Sequence, residues 1–201
     1  MACDFHTHKI SSATVALYSV AAMDGRRFCS LEKHPWHLME NFVFDQDAFA
    51  EELTPFDALG EVGLDRHRGA DMIIQTGFLK KVLPVAQEMN KPVVFHIVRA
   101  WEEFFSIIKP YRLKMMVHGF RGSAELLKEL WRRNIIVSFH KSVTKRPDII
   151  ASLSGTGKFG FESDDDQECD IAQIIGETVK AGGRSDMEQF TDAVFQEFVN
   201  G

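Results

Sequence analysis

His96, His118, His140 and Glu162 stand 22 residues apart along the chain. Each follows a short apolar run, as do His6-Thr7-His8 near the N-terminus and Gly60-Glu61-Val62-Gly63-Leu64-Asp65 further on. Imidazoles mixed with carboxylates suit Zn, Mn, Fe or Co better than Ca. In His-x-His on a strand both side chains face one side, because strand periodicity is two, so one ion can take His6 and His8 together. Glu61 can bridge to a second ion about 3.5–4 Å away, with His96 and His118 completing it. Two cations draw the pKa of bound water toward neutrality, which makes a hydrolytic nucleophile available at pH 7. At the end of the last apolar run, strand phase accepts either Glu162 or Asp164 as the carboxylate.

These residues need a scaffold that brings strand ends together. Strand candidates are Ala2–Phe5, Thr14–Val20, Arg27–Leu31, Ala58–Val62, Pro92–Ile97, Lys114–Val117, Ile135–Phe139 and Lys158–Phe161. Their continuous apolar character suits strands buried on both faces, as in a parallel sheet. Helical patterns lie between the later runs: Phe78, Leu79, Val82, Ala86 and Met89 share one face, with Pro84 expected to bend it. Trp101, Phe104, Phe105 and Ile108 form a second stripe. Leu126, Leu127, Leu130 and Trp131 form a third, after the cap candidate Ser123. Ser185 with Glu188 has the capping-box pattern of a last helix, and the acidic 164–170 stretch precedes another helix start.

A period of 22 residues is one compact strand–helix unit, so the polar residue recurs at the carboxyl end of each strand. That is where parallel α/β folds place their active sites. Eight strands imply a compact TIM-like (β/α) barrel formed by a single domain, residues 1–201. The chain is short for that fold, and the shortage lies at the front. A parallel crossover takes about a dozen residues or more. The first two helical crossovers are therefore expected to be reduced or missing, with Thr14–Val20 irregular or antiparallel.

Composition narrows the setting. The 201 residues are 45% hydrophobic and 26% charged, which excludes a mainly disordered chain. No apolar run reaches the roughly 20 residues of a transmembrane helix, so no membrane partner is expected. The polar N-terminus does not read as a signal peptide. Three cysteines without a CxxC point to a reducing, cytoplasmic setting and to a site without sulfur ligands. The net charge of −6 gives no global nucleic-acid footprint. Arg66, Arg68, Arg99, Arg121, Lys141, Lys145 and Arg146, however, follow the strands that carry the donors and suggest a local basic rim.

In order along the chain, His6-Thr7-His8, Gly60–Asp65, Pro92–His96 with Arg99-Ala100, His118-Gly119-Phe120 and Glu162-Ser163-Asp164 resemble the motifs of the TatD family. These are metal-dependent hydrolases of the amidohydrolase superfamily, many of them deoxyribonucleases. The resemblance runs from residue 4 to about residue 199. It implies a TIM-like barrel, two divalent ions (Zn, Mn or Mg) and hydrolysis of a phosphodiester, with nucleic acid as substrate. It makes His6, His8, Glu61, His96, His118 and Asp164 the metal ligands, and it selects Asp164 over Glu162. Asp164 and Glu61 are then the catalytic carboxylates, and Glu162 is expected to brace a loop. His34-Pro35-Trp36 looks like the family's His-Pro element lining the site. The sequence departs from the family at Leu31-Glu32-Lys33, where a small Gly-containing turn is usual, and at Ser163 and Asp165, where Thr and Pro are usual.

Around this set, His34, Arg99 and Arg121 are candidates for substrate binding, since guanidinium geometry suits phosphate. Asp65 is expected to order the 63–68 loop, and His140 to lie solvated at the mouth. Trp36 is the only tryptophan in a mouth loop. The competing functions are an amide or ester hydrolase using the same ions, and a metal-binding relative without turnover.

Overall fold

The computed structural model describes residues 2–9, 11, 13, 15–20, 28–40 and 43–200. Its strands are β1 (Cys3–Thr7), β2 (Val15–Val20), β3 (Cys29–Leu31), β4 (Ala58–Asp65), β5 (Val93–Val98), β6 (Met115–Val117), β7 (Ile135–Phe139) and β8 (Phe159–Phe161). They follow one another in a closed barrel in chain order, the TIM-like arrangement. The helices are α1 (Gln46–Leu53), α2 (Met72–Glu88), α3 (Trp101–Ile108), α4 (Ala124–Arg132), α5 (Pro147–Ile150), α6 (Ile171–Lys180) and α7 (Met187–Asn200). No described helix is long and apolar enough to cross a membrane.

β2 corrects an expectation, for it pairs parallel to β1, with a register shift between Asp4 and Thr7. Only residues 8–14 separate the two strands. Seven extended residues reach up to about 23–25 Å, and a five-residue strand is about 17 Å long. A bare return therefore suffices without a helix, and none is present among the described residues. Most of the second connection, with the expected strand residue Arg27, lies outside the described residues, as does Thr14.

The contacts divide the chain into two compact units, residues 1–18 with 116–201, and residues 19–115. The first packs around aromatic rings. Phe5 meets Phe195 edge-on at 5.3 Å, and Phe159 meets Phe190 at 5.1 Å. Gly160 lets β8 lie against Phe5, because a Cβ there would stand 2.2 Å from that ring. In the second unit Phe95 packs edge-on against Phe104, and Leu31, Leu59, Leu79 and Val82 are fully buried.

Helix starts follow local chemistry. Asp71, Ser123 and Asp170 accept backbone N–H bonds at the heads of α2, α4 and α6. Each such cap is worth about 1 kcal/mol. α2 continues through Pro84. α7 starts at Met187, so Asp186, whose carbonyl accepts from Phe190 N, takes the place expected of Ser185.

Candidate metal centre

In the unit formed by residues 1–18 and 116–201, β1 delivers His6 and His8 to one side. Their Nε2 atoms lie 3.2 Å apart. The strand end is fixed from below by the buried Asp4 carboxylate, which accepts from Ser163 N at 3.0 Å and Ser163 Oγ at 2.6 Å. It is fixed from the side by Asp164, whose backbone N–H donates to His6 O at 3.0 Å and whose carbonyl accepts from His8 N at 3.2 Å. Asp164 sits at φ +53°, and its Oδ1 lies 3.8 Å from His8 Nε2 and 4.0 Å from His6 Nε2. His118, just past β6, stacks at a tilt on His6 with ring centroids 4.3 Å apart. His6, His118 and Asp164 each offer a donor atom within 4.8 Å of the others. Ligands bound at about 2.0–2.2 Å around one tetrahedral ion stand roughly 3.3–3.6 Å from each other, so these separations suit a shared cation.

Glu162 does not brace a loop. It is fully buried; Ser138 Oγ donates to its Oε2, and its Oε1 faces His118 Nδ1 at 3.6 Å. Oε1 has no hydrogen-bond partner. Burial pushes this carboxyl up, but the charges of His118 and His6 and the Ser138 hydroxyl bond outweigh it and hold it at about 2. Glu162 thus faces Ser138 and His118 from a fully buried position just past β8.

In the unit of residues 19–115, Glu61 lies within β4 rather than in a turn after it. Pairing with β5 continues through Gly63↔His96 to Asp65↔Val98. Gly63 permits it, since a Cβ there would come within 1.8 Å of His96 O. Glu61 Oε1 lies 2.8 Å from His96 Nδ1 and 3.1 Å from His34 Nε2. His34 Nδ1 accepts from Trp36 N at 3.1 Å, so the proton of the neutral ring is on Nε2 and donates to Glu61. Burial lowers the His34 pKa against the opposing pull of Glu61, which favours that neutral form. His96 Nε2 faces Asp65 Oδ2 at 3.2 Å. Both ring nitrogens of His96 thus face carboxylate oxygens, which only accept, and either nitrogen can carry the proton of the neutral ring. His34, Glu61 and His96 each offer a ligand atom within 4.8 Å of the others, a grouping that could hold a metal ion.

Asp65 does order its loop, accepting from His67 N at 2.8 Å and Arg68 N at 3.1 Å. It also accepts from Trp36 Nε1 at 2.6 Å, a contact the sequence reading missed. Burial raises its pKa, but the bonds from Trp36, His67 N and His96 prevail and lower it. A signal existed: Glu61 and Asp65 are four apart on one strand and therefore share a face.

The expected rim is only partly free. Arg66 pairs with Glu103, Lys141 with Asp166 and Arg146 with Asp148. Arg99 is exposed at φ +51°, with its carbonyl taken by Arg66 Nε at 3.0 Å, and Arg121 is exposed past β6. Among the described residues no hydrogen bond or ion pair joins either arginine to the histidines or carboxylates above. His140 is partly exposed, and its Nε2 lies 3.4 Å from Asp166 Oδ2. All three cysteines are buried, and Cys3 and Cys169 donate to Asp192 and to the Glu162 carbonyl.

Comparison with known proteins follows the same residues. The model of the TatD related DNase family matches residues 3–164. An uncharacterized metal-dependent hydrolase of Bacillus subtilis, YabD, is 30% identical over 64% of this chain and 56% of its own length. A second such protein, MJ1582 of Methanocaldococcus jannaschii, is 33% identical over 40% of this chain and 32% of its own. This chain thus spans about half or less of the length of the curated relatives it matches. The solved structure of YJJV, a TatD homologue of Escherichia coli, superposes with a TM-score of 0.61 at 21% identity, covering 78% of this chain and 68% of that one. A TatD family hydrolase from Entamoeba histolytica gives 0.60 at 15% identity, covering 77% and 65%. At these identities the two structures establish the barrel fold.

Proposed function

This chain belongs to the TatD related DNase family, and from that premise we propose that it is a metal-dependent phosphodiesterase acting on DNA through two divalent ions. His6, His8, His118 and Asp164 hold one ion; Glu61 and His96 hold the other. Such ions supply Lewis acidity and a nucleophile at neutral pH. The observation that carries the reading is the gathering of ligand atoms: His6, His118 and Asp164 in one group and His34, Glu61 and His96 in another, each within 4.8 Å.

The other residues have separable tasks. Asp65 holds the Nε2 side of His96, and His34 steadies Glu61 through its Nε2–H. Asp164 has a side chain 38% exposed, so it can reach both an ion and a substrate proton. Its carboxylate is the group placed to accept and return a proton, help worth about 10²–10⁴-fold in rate. His34, Arg99 and Arg121 remain candidates for contacting the substrate.

The test is metal analysis of the purified protein, followed by a substrate panel with each metal restored. The expected result is close to two ions per chain and slow, chelator-sensitive cleavage of single-stranded DNA or a simple phosphodiester. Ester or amide turnover without phosphodiester turnover would overturn the substrate class. Metal loading without turnover on any class would overturn the enzyme reading.

A further inference from the structure

Arg68 differs from the engaged cations around it. Its backbone N–H is fixed on Asp65, and its guanidinium carbon lies 3.7 Å over the centre of the Trp36 ring. Among the described residues no carboxylate pairs with it. Asp65 is no partner for the guanidinium, because its oxygens are occupied by Trp36, His96 and two backbone N–H groups. Trp36 in turn belongs to the donor group: its ring meets His34 at 4.5 Å and His96 at 5.6 Å between centroids.

The seat is built. Gly69, at φ +95°, lays its backbone against the Pro35 carbonyl, and a Cβ there would stand 2.5 Å from that oxygen. The 66–70 loop is thereby clamped onto the Pro35–Trp36 turn, with Arg68 beside it. A guanidinium stacked by its face keeps its in-plane N–H donors available, and these match phosphate oxygens bidentately. The cation–π contact contributes about 0.5–1 kcal/mol at an exposed site, enough to orient the group without consuming its charge.

We propose that Arg68, seated on Trp36, binds a substrate phosphate next to the one that reacts at Glu61 and His96. The inference rests on the phosphodiesterase reading and adds where the strand's neighbouring phosphate is held. A solvated arginine that merely shields an indole would leave binding unchanged when truncated.

The experiment uses the metal-loaded protein and two probes. A single-stranded phosphorothioate deoxyoligonucleotide, which resists hydrolysis, reports strand binding by fluorescence anisotropy across a salt series. Inorganic phosphate reports the anion site by tryptophan emission, with Trp36→Phe identifying the signal. Arg68→Ala is expected to weaken oligonucleotide binding about tenfold. It should also flatten the dependence of log affinity on log salt by about 0.7, the share of one phosphate contact on a single strand. Arg68→Lys should keep the slope, because the charge remains, and recover only part of the affinity. Unchanged affinity and slope in Arg68→Ala, with phosphodiester turnover intact in the parent, would overturn this inference and leave the proposed function standing. Phosphate binding that Arg68→Ala removes, in a parent that cleaves no phosphodiester, would overturn the function and leave the site. A parent that binds neither probe would overturn both.

Discussion

The two units hold their histidines by different means. In residues 19–115 carboxylates do the holding: His96 lies between Glu61 and Asp65, and His34 donates to Glu61. In the other unit the backbone does it. His6 and His8 are fixed through the main chain by Asp164 and by the buried Asp4 beneath it, while the carboxylates nearest the rings stand back, Asp164 at 3.8–4.0 Å and Glu162 at 3.6 Å. One group is organised by its own hydrogen bonds. The other is a group of donors whose spacing suits a cation. Removing a carboxylate should therefore disturb geometry in the first case and chiefly binding or proton transfer in the second.

The largest effect is expected at Glu61, where both features coincide. Glu61→Gln removes the charge that faces His96 and loses the oxygen that His34 needs. Even hydrogen-bond partners of metal ligands are worth about 10–100-fold in affinity, so a ligand should exceed that. Elemental analysis should show one ion fewer per chain, and turnover should fall below detection. Retention of full metal content would break the assignment of this carboxylate.

Asp164→Asn comes next. Asparagine tolerates the left-handed backbone at φ +53°, and the main-chain bonds to His6 and His8 persist. The melting temperature should hold, at least one ion should remain, and the rate should fall about 10²–10⁴-fold. A near-parental rate here, together with a dead Glu162→Gln, would exchange the roles of the two carboxylates.

How far this was legible from residues alone differs between the units as well. The eight strands came from apolar runs, and the polar residues after the first and the fourth to eighth from their place behind those runs, four of them at a constant spacing. Strand phase could not choose between Glu162 and Asp164, because residues two apart share a face until a turn intervenes. That turn is the left-handed Asp164, and nothing in Glu162-Ser163-Asp164-Asp165 announces it. β2 was misjudged because crossover length was taken from helical connections, while a bare extended return needs fewer residues. Asp65 was read as a loop residue because β4 was ended at Val62. Had the strand been carried past Gly63, parity would have set Asp65 beside Glu61. The basic rim was read from position alone, and only side-chain geometry separates Arg68 from the paired Arg66 and Arg146.

Substitutions behind the ligands sharpen the contrast. Asp65→Asn removes the charge facing His96 Nε2, and it loosens both the Trp36 indole and the 67–68 backbone. Metal affinity should drop about 10–100-fold, and Trp36 emission should shift with it. Glu162→Gln should weaken metal binding by a similar factor, through His118, and leave Trp36 emission unmoved. Cobalt titration with tryptophan emission as a parallel readout separates them. Equal emission changes in both variants would mean that the two groups are not independently organised.

The smallest effect concerns sulfur. Cys3 and Cys169 lie in the unit that carries His6, His8, His118 and Asp164, so they are the thiols best placed to betray a sulfur ligand if there were one. Burial raises the Cys3 thiol to about 12, aided by Asp192, and burial also raises Cys169 to about 11, aided by Asp166. Both are therefore neutral at pH 8 and poor ligands and nucleophiles. A folded-state pKa above the unfolded value of 9.0 stabilises the fold fully below pH 9, and that contribution is lost as pH rises toward 11–12. Iodoacetamide at pH 8 should modify the native protein slowly and at the same rate with or without added Mn or Zn. Stability should begin to decline only above pH 9. Metal-dependent protection of Cys3 or Cys169 at pH 8 would bring sulfur into the group of His6, His8, His118 and Asp164 and undo its description as nitrogen and oxygen alone.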